Sequence, residues 1–226
     1  MNIAIILASG SGTRMVGLDT PKQFCLVKGK PLFLYSVEAF NNNPLMDAIV
    51  IVAHPNYIEQ VKQYCAGNNC SKVQLVIEGG KTRQESVYKG LKAIEGFAKG
   101  CDKVLIHDSA RPLVSQDIIT NNIKGCEKYG AVETAVKTND TIVKAYEESS
   151  EVLDRSNLYQ VQTPQTFKYS IILKAHEEAL KKGITNASDD AQLVGNVHIV
   201  NGESTNFKIT TNQDLKLFEA MLKKED

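Results

Sequence analysis

Short apolar runs alternate with helical patterns through the first half of the chain. The runs at 3–8 and 48–53 are rich in Ile, Val and Leu, as is typical of strands buried on both faces of a parallel sheet. The expected strands are 3–8, 48–53, 73–77 and 103–106. The expected helices, in which apolar residues recur at helical spacing, are 31–40, 56–65, 86–98 and 116–129. This alternation indicates βαβ units with right-handed crossovers. It predicts an α/β fold: a Rossmann-like three-layer sandwich with a mainly parallel sheet.

The second half of the chain departs from this regular alternation. Residues 131–145 are rich in Val, Thr and Ile, an acidic turn follows at 147–151, and 158–161 is again strand-like. We interpret residues 132–161 as a β-arm that projects from the sheet. The other expected elements are a helix at 169–182, strands at 198–200 and 207–210, and a helix at 214–224. No repeat or linker interrupts the chain, so residues 1–226 are expected to form a single domain.

Composition narrows the class of protein. The 226 residues carry 26 Lys and Arg against 26 Asp and Glu, and this zero net charge argues against a broad nucleic-acid-binding face. The longest apolar runs fall far short of the ~20 residues that cross a bilayer. No secretory signal is recognisable, so we expect a cytoplasmic protein. The five cysteines are scattered without a CxxC pair, and we expect reduced, mostly buried thiols rather than a disulfide framework or a zinc site.

A glycine-rich loop follows the first strand directly. Gly10 and Gly12 allow backbone N–H groups to surround an anion. A dinucleotide fingerprint would need glycine where Met15 stands, and a Walker A loop fails because Leu18 and Asp19 replace its Lys and Ser/Thr. A glycine-rich strand exit without a ligand stays open on the glycines alone. Arg14 and Lys22 place two cations beside the loop, which favours phosphate chemistry.

Further motifs give the chain a family resemblance. They are Pro21-Lys-Gln, Gly79-Gly-x-x-Arg83-x-x-Ser86, Val104-Leu-Ile-His-Asp-Ser-Ala-Arg-Pro112, Asp154-Arg155, Gln162-Thr-Pro-Gln165 and Asn206-Phe-Lys-Ile-Thr-Thr211. With the glycine loop, the chain resembles over essentially its whole length the cytidylyltransferases that make CDP-alditols from CTP. These are 2-C-methyl-D-erythritol 4-phosphate cytidylyltransferase and ribitol-5-phosphate cytidylyltransferase. The resemblance implies a fold like that of the nucleotide-diphospho-sugar transferases.

The resemblance also implies roles for individual residues. The catalytic set that it implies is Arg14, Lys22, Asp108 and Lys208. The CTP-binding set is Leu7, Ala8, Ser9, Gly10, Gly12, Thr13, Gly79, Gly80, Lys81, Arg83, Ser86, Ser109 and Ala110. Family members often carry an acidic residue at the position of Lys81, where backbone contacts would survive the difference. Asp108 matches the residue associated with Mg²⁺, and a carboxylate at a strand end beside a triphosphate is where a magnesium ligand is needed. Taken alone, His107-Asp108 would more often be a turn pair.

The second substrate and the oligomeric state follow from the same resemblance. The residues implied to bind the alditol phosphate are Arg111, Thr141, Arg155, Thr163 and Lys208. In this family the arm crosses to a partner subunit, which implies a homodimer with shared sites. The implied reaction is in-line attack by the alditol phosphate on the α-phosphorus of CTP, with no general base required. His176 is not part of a zinc-protease motif, because Leu180 stands where that motif needs its second histidine. It is expected on the exposed side of a helix.

The choice of alditol phosphate stays divided. The Arg83 segment, Asp154-Arg155 and Asp189-Asp-Ala-x-Leu-Val194 resemble methylerythritol-phosphate enzymes, whereas Ala131-Val-Glu-Thr134, Ser109 and Leu158-Tyr-Gln160 resemble the ribitol-phosphate branch. We favour methylerythritol phosphate slightly, which would place the enzyme in isoprenoid precursor synthesis rather than in teichoic acid or capsule synthesis. A sugar-1-phosphate nucleotidyltransferase and a non-catalytic nucleotide-binding module are the further alternatives.

Overall fold

The computed structural model describes residues 1–10 and 20–222, which fold around a central β-sheet. The strands are β1 (Asn2–Ala8), β2 (Leu26–Val27), β3 (Lys30–Pro31), β4 (Ala48–Ala53), β5 (Val73–Glu78), β6 (Lys103–Asp108), β7 (Ala131–Lys137), β8 (Val143–Ala145), β9 (Ser150–Val152), β10 (Tyr159–Lys168) and β11 (His198–Asn201). The α-helices are α1 (Leu32–Asn41), α2 (Ile58–Gly67), α3 (Arg83–Ala93), α4 (Gln116–Tyr129), α5 (Tyr169–Lys181), α6 (Ala191–Val194) and α7 (Asn212–Leu222). Short 3₁₀ turns lie at Lys22–Phe24, Pro55–Tyr57 and Arg155–Asn157.

The central sheet of the described residues has the strand order β11-β7-β10-β6-β1-β4-β5. Strands β6, β1, β4 and β5 pair in parallel, and β11 pairs in parallel with β7. Strand β10 runs against its two neighbours, β6 and β7. The predicted α/β fold with a mainly parallel sheet is confirmed. The carboxyl ends of β1, β4, β5 and β6 therefore meet at one edge, which is where open α/β sheets bind ligands.

Helices cover both faces of the sheet. Along β1, Ala4 and Ile6 pack into a core with α1, α2 and α4, whereas Ile3 and Ile5 pack into a second core with α3 and α5. These strand residues are fully buried, and each large aliphatic side chain contributes about 1.5–3 kcal/mol by leaving water. The continuous apolar run of β1 is thus explained by burial on both faces, and the three layers follow from it.

A smaller apolar cluster joins distant parts of the chain. Val27 and Leu32 pack with Ile209 and Phe218, so that α7 lies against the β2–β3 hairpin and the start of α1. The hairpin turns through Lys28 and Gly29, both at positive φ, and glycine relieves the strain at the second of these positions. This cluster brings the segment before α7 towards the region that follows β1.

The β-arm is narrower than the predicted 132–161. Its two ends are strands of the central sheet, since Ala131–Lys137 form β7 and Tyr159–Lys168 form β10. Val132 and Ala135 are buried there, so β7 belongs to the core rather than to a projecting arm. Between them, β8 and β9 form a separate exposed hairpin in which Val143 faces Val152. A Val/Thr-rich pattern suits either a sheet strand or an arm, which is why the sequence placed the boundary too early.

Other element boundaries also differ from the prediction. Helix α3 begins at Arg83 rather than at residue 86, because the Thr82 hydroxyl accepts a hydrogen bond from the Glu85 N–H at 3.1 Å and caps it. It ends at Ala93 instead of residue 98. The expected strand at 207–210 is an irregular segment, with the Ile209 N–H donating to the Ala110 carbonyl at 2.8 Å. Helix α7 begins at Asn212, two residues earlier than expected, and the last residues of the predicted helix lie outside the described range.

The prediction for His176 is wrong. This α5 residue is fully buried rather than exposed, and its Nε2 lies 3.0 Å from an Asp190 carboxylate oxygen. Asp190 on another segment satisfies Nε2, whereas Nδ1 is buried without a hydrogen-bond partner among the described residues.

The cysteines differ in burial, and the described helices lack membrane-spanning character. Three cysteines are buried as expected, at positions 65, 70 and 126, whereas Cys101 is exposed and Cys25 partly so. Within residues 1–10 and 20–222, no helix combines the length and apolar character needed to cross a bilayer.

Candidate active site

A cavity of about 670 Å³ opens at the carboxyl edge of the sheet. Its wall is built by the ends of β1 and β6, the segment between β5 and α3, and the irregular segment before α7. The predicted site residues that line it are Leu7, Ala8, Ser9, Gly10, Lys22, Gly79, Gly80, Lys81, Arg83, Ser86, Asp108, Ser109, Ala110 and Lys208. The structure thus brings together residues from both ends of the sequence, whereas Gly12, Thr13 and Arg14 lie outside the described residues.

The end of β1 is fixed by a side chain that the sequence analysis left without a role. The buried Gln23 amide donates to the carbonyls of Ala8 and Gly10, at 3.0 and 2.6 Å. These two carbonyls are thereby turned towards the Gln23 side chain, at the start of the glycine loop. Gln23 follows Lys22 in the Pro21-Lys-Gln motif, and that motif was the only available signal of its importance.

The segment after β5 fits closely against the glycine loop. The Ser86 hydroxyl lies 3.0 Å from the Ser9 hydroxyl and accepts a hydrogen bond from the Gly80 N–H, also at 3.0 Å. A Cβ atom on Gly79 would lie 2.2 Å from the Ser9 Cβ, so only glycine allows this approach. Lys89 also lines the cavity and donates to the Gly79 carbonyl at 2.9 Å, a contact that no sequence motif indicated.

Asp108 is the carboxylate on the cavity wall at the end of β6. Its Oδ2 accepts from Lys208 Nζ at 2.6 Å, and its Oδ1 lies 3.4 Å from Arg83 Nε. Burial alone would raise the pKa of Asp108, but Arg83, Lys208 and Arg111 hold that pKa far below its usual range. The group is therefore ionised at neutral pH, and it balances two cations of the cavity.

The residue before Asp108 is a buried neutral histidine. His107 Nε2 lies 3.2 Å from the Arg111 carbonyl, and Nδ1 lies 3.1 Å from the Thr163 hydroxyl. The same Thr163 oxygen accepts from the Asp108 backbone N–H at 3.1 Å. Burial lowers the pKa of His107 to about 4. Because the carbonyl can only accept, the neutral ring carries its proton on Nε2 and accepts from Thr163 at Nδ1. Thr163 thus contacts the Asp108 backbone and the His107 ring, and it is not among the described residues that line the cavity.

Two lysines meet at the irregular segment before α7. Lys22 Nζ donates to the Ile209 carbonyl at 2.6 Å, and Lys208 precedes that residue. The small apolar cluster that includes Ile209 holds the segment in place. Both predicted catalytic lysines consequently border the same cavity, with Asp108 between the Lys208 ammonium and Arg83.

The predicted alditol-phosphate residues are more dispersed. Arg111 donates to the Asn206 carbonyl at 2.8 Å and reaches the Val161 carbonyl at 3.4 Å. Arg155 donates to the Asn139 carbonyl at 2.8 Å at the base of the arm, and Thr141 is exposed nearby. Arg111, Thr141 and Arg155 are not among the described residues that line the cavity. Their assignment to the second substrate stays a prediction.

The acidic residues do not form a metal cage by themselves. In the described ranges, no group of three or more His, Cys, Asp or Glu side chains is close enough to hold a metal ion. A magnesium ion at this site would need Asp108 together with ligands from a bound nucleotide, which is the usual way in which proteins hold Mg²⁺ with phosphates.

Comparison with known sequences identifies the family. A sequence model of the family described as 2-C-methyl-D-erythritol 4-phosphate cytidylyltransferase matches residues 2–224. The enzyme of that name from Clostridium acetobutylicum is 45% identical, over 99% of this chain and 98% of its own length. The ribitol-5-phosphate cytidylyltransferase of Streptococcus agalactiae serotype III is 38% identical, over 98% of this chain and 95% of its own.

Solved structures agree with the sequence relatives. The 4-diphosphocytidyl-2C-methyl-D-erythritol synthase of Anaerococcus prevotii superimposes with a TM-score of 0.86 at 27% identity, covering 99% of this chain and 96% of its own. The 2-C-methyl-D-erythritol 4-phosphate cytidylyltransferase of Thermus thermophilus gives a TM-score of 0.77 at 31% identity, covering 99% and 100%. With the cavity at the sheet edge and its lysines and carboxylate, these matches lead to one conclusion: the chain belongs to the 2-C-methyl-D-erythritol 4-phosphate cytidylyltransferase family and is a nucleotidyltransferase.

Proposed function

We propose that this enzyme transfers CMP from CTP to 2-C-methyl-D-erythritol 4-phosphate and releases pyrophosphate. The observation that carries the proposal is the cavity that Lys22, Lys208 and Arg83 line at the start of the glycine loop, where Lys208 and Arg83 pair with the Asp108 carboxylate. Cations and backbone N–H groups of this kind stabilise a polyphosphate and the charge that develops when it is cleaved. The cavity volume of about 670 Å³ is in the range of small-molecule sites.

The chemistry requires positioning and charge stabilisation rather than a base. A phosphate oxygen of the alditol phosphate attacks the α-phosphorus of CTP, and pyrophosphate leaves on the opposite side. One N–H donor of the Lys22 ammonium goes to the Ile209 carbonyl, and we infer that a phosphate oxygen of CTP is a further acceptor for this ammonium. We assign Lys22 and Arg14 to the transition state, with Arg14 in the loop outside the described residues. His107 takes no part in proton transfer, because both of its nitrogens are occupied inside the protein.

Lys22 offers a direct test of this assignment. We expect Lys22→Ala to lower turnover by roughly 10²-fold or more, as does the loss of one oxyanion donor. The matched control is Lys62→Ala, since Lys62 is exposed and makes an ion pair with Glu59 on α2. Turnover of Lys22→Ala near the wild-type value would contradict the role in the transition state.

Asp108 suits a magnesium ion that arrives with CTP. The carboxylate is ionised and lies at the cavity wall, and each of its oxygens has two lone pairs, of which Arg83 and Lys208 use one apiece. When bound, Mg²⁺ would neutralise charge on the phosphates. We expect turnover to be lost in EDTA and restored by MgCl₂, and Asp108→Asn to raise the Mg²⁺ concentration needed for half-maximal rate. Turnover indifferent to EDTA would contradict the metal assignment.

The identity of the alditol phosphate can be measured directly. The family match and the 45% identity to the clostridial enzyme support 2-C-methyl-D-erythritol 4-phosphate. Pyrophosphate release from CTP would be followed with each alditol phosphate in turn, at equal concentrations. We expect the highest kcat/KM with methylerythritol phosphate. No release with any alditol phosphate would overturn the proposed function as a whole.

Ribitol 5-phosphate is the second candidate. The streptococcal enzyme of that name is 38% identical over 98% of this chain, and the Ala131–Thr134 and Leu158–Gln160 segments resemble that branch. A higher kcat/KM with ribitol 5-phosphate would assign the enzyme to CDP-ribitol synthesis instead, with the same site and the same mechanism.

We also propose that the arm completes the site of a second copy. Its hairpin exposes Val143, Tyr146 and Val152, with 50%, 49% and 68% of each residue accessible, and such apolar exposure favours a protein contact. Arg155 lies at the base of this arm, away from the cavity of its own chain. In a two-fold dimer it would reach the partner's site.

Complementation tests the shared site. Lys22→Ala and Arg155→Ala are each expected to be nearly inactive as homodimers. When the two variants are refolded together, about half of the dimers should be heterodimers. Each heterodimer has one intact site, made of Lys22 from one chain and Arg155 from the other, so the mixture should recover about a quarter of the wild-type activity. No recovery from heterodimers of verified composition, or a monomer by light scattering, would contradict the shared site.

A further inference from the structure

Two sequence motifs meet behind the cavity without a role in the reaction described above. Gln165 closes the Gln162–Gln165 motif on β10, and Asp190 belongs to the Asp189–Val194 motif before α6. Both side chains are buried, with 0% and 1% of each residue exposed, and the buried His176 lies beside Asp190. Buried polar groups that are this far from solvent are kept where their contacts serve a purpose.

Asp190 is held from three sides. Its Oδ1 lies 3.0 Å from His176 Nε2, and its Oδ2 accepts from Arg83 Nη1 at 2.6 Å. The Gln165 side-chain oxygen accepts from the backbone N–H groups of Asp190 and Ala191, at 3.0 and 3.3 Å. Gln165 is itself fixed in the sheet opposite Ile106 of β6. The carboxylate therefore has one orientation, and that orientation faces Arg83.

Arg83 connects this buried carboxylate to the cavity. Its guanidinium contacts Asp190 through Nη1 and Asp108 through Nε, at 2.6 and 3.4 Å. Burial alone would lower the pKa of Arg83, but the two carboxylates raise it, so the guanidinium stays charged. Among the described residues Nη2 makes no hydrogen bond, and Arg83 lines the cavity. One N–H group of Nη1 and the two of Nη2 are thus left for a ligand.

We propose that Asp190 is a positioning residue for nucleotide binding: it fixes the Arg83 guanidinium so that the remaining N–H groups of Arg83 are available to CTP in the cavity. Gln165 and His176 act one step further back, by holding Asp190. The inference rests on the proposed function, since it takes CTP as the ligand of Arg83. The shorter of the two Arg83 contacts goes to Asp190 and not to Asp108, so Asp190 is the main anchor of the guanidinium.

The test compares two neighbouring aspartates. Asp190→Asn removes the charge with almost no change of shape, and Asp189→Asn makes the same change at a partly exposed neighbour that accepts from the Gln192 N–H. We expect Asp190→Asn to raise the KM and the dissociation constant for CTP about tenfold or more, with kcat changed much less, because one charge-assisted hydrogen bond to Arg83 is lost. Asp189→Asn should match the wild type. Equal CTP affinity in the two variants would overturn the inference.

A double-mutant cycle separates positioning from mere support of the fold. If Asp190 acts through Arg83, Asp190→Asn should have no further effect on CTP affinity in an Arg83→Ala background. A second full loss in that background would show that Asp190 acts by another route. Calorimetric titration with CTP measures the affinity without relying on turnover.

His176 keeps the inference testable should Asp190→Asn fail to fold. His176→Gln retains an N–H donor for Asp190, whereas His176→Phe keeps the ring against Tyr88 but removes the donor. We expect CTP affinity to fall several-fold in His176→Phe and much less in His176→Gln, and the reverse order would overturn the inference. Failure of the wild-type enzyme to release pyrophosphate from CTP would instead defeat the proposed function.

Discussion

The buried histidine beside Asp108 makes the stability of the enzyme depend on pH. Burial lowers the pKa of His107 from 6.5 to about 4, so the unfolded chain takes up a proton at a higher pH than the folded chain does. Between these two values the unfolded state binds more protons, and stability falls as the pH falls. The stabilisation from the neutral His107 ring is fully present above the pKa that histidine has in the unfolded chain. It is lost as the pH falls towards the lower pKa of His107 in the folded protein. Linkage gives a loss of about 2 kcal/mol between pH 7 and pH 5 from this residue alone.

Replacement of the ring isolates that contribution. His107→Gln is expected to be less stable than the wild type at pH 7, because the contacts with Thr163 and the Arg111 carbonyl change. Its further loss between pH 7 and pH 5 should be smaller than that of the wild type by about 2 kcal/mol. The matched control is His198→Gln, which removes an exposed histidine and should keep the wild-type slope.

Urea unfolding followed by far-UV circular dichroism measures both slopes. The buffers should contain no nucleotide and no magnesium, because ligands that bind the folded state add their own pH dependence. Equal losses in the wild type and His107→Gln between pH 7 and pH 5 would refute a depressed pKa at this position. A shallower slope in His198→Gln would assign the effect to another histidine.

Two other substitutions test the packing of the site and of the sheet beneath it. Gln23→Leu leaves the carbonyls of Ala8 and Gly10 without their donor, and steady-state kinetics should give a several-fold rise in the KM for CTP; an unchanged KM would contradict the role of Gln23 in shaping the loop. Gly90→Ala places a Cβ 2.8 Å from Ile5 Cγ2 and should cost about 1 kcal/mol or more in urea unfolding, whereas Gly67→Ala on α2 meets nothing within 4 Å and should gain about 0.5 kcal/mol. Equal effects of the two glycine substitutions would refute the steric argument.

The central strands and most helices could be predicted from local pattern. Buried parallel strands are continuous apolar runs, and β1 and β4 followed that rule closely, whereas the edge strand β5 is only partly buried. Strand β10 was predicted only at its start, because Pro164 and the polar residues around it argue against a strand. In the structure Pro164 follows a cis peptide bond, where the register between β10 and β7 shifts.

The site was predictable as far as its motifs go and no further. Motifs located the cavity residues because each lies at a strand end or in a glycine-rich turn, and such positions converge at one edge of a parallel sheet. The contacts that hold these cavity residues in place could not be predicted from the sequence. His176 pairs with Asp190 from another element, and the amide of Gln23 finds its carbonyls only once the loop has formed. Such pairs depend on folding across long sequence separations, which no local pattern records.

The small apolar cluster of Val27, Leu32, Ile209 and Phe218 determines when a newly made chain can become an enzyme. Its first two members are synthesised long before its last two. Until that segment emerges, Lys22 has no Ile209 carbonyl to donate to and Asp108 has no Lys208. Most of the sheet can form beforehand, since domains begin to fold during synthesis. The growing chain can therefore form most of its sheet before Lys22 and Lys208 come together at the cavity.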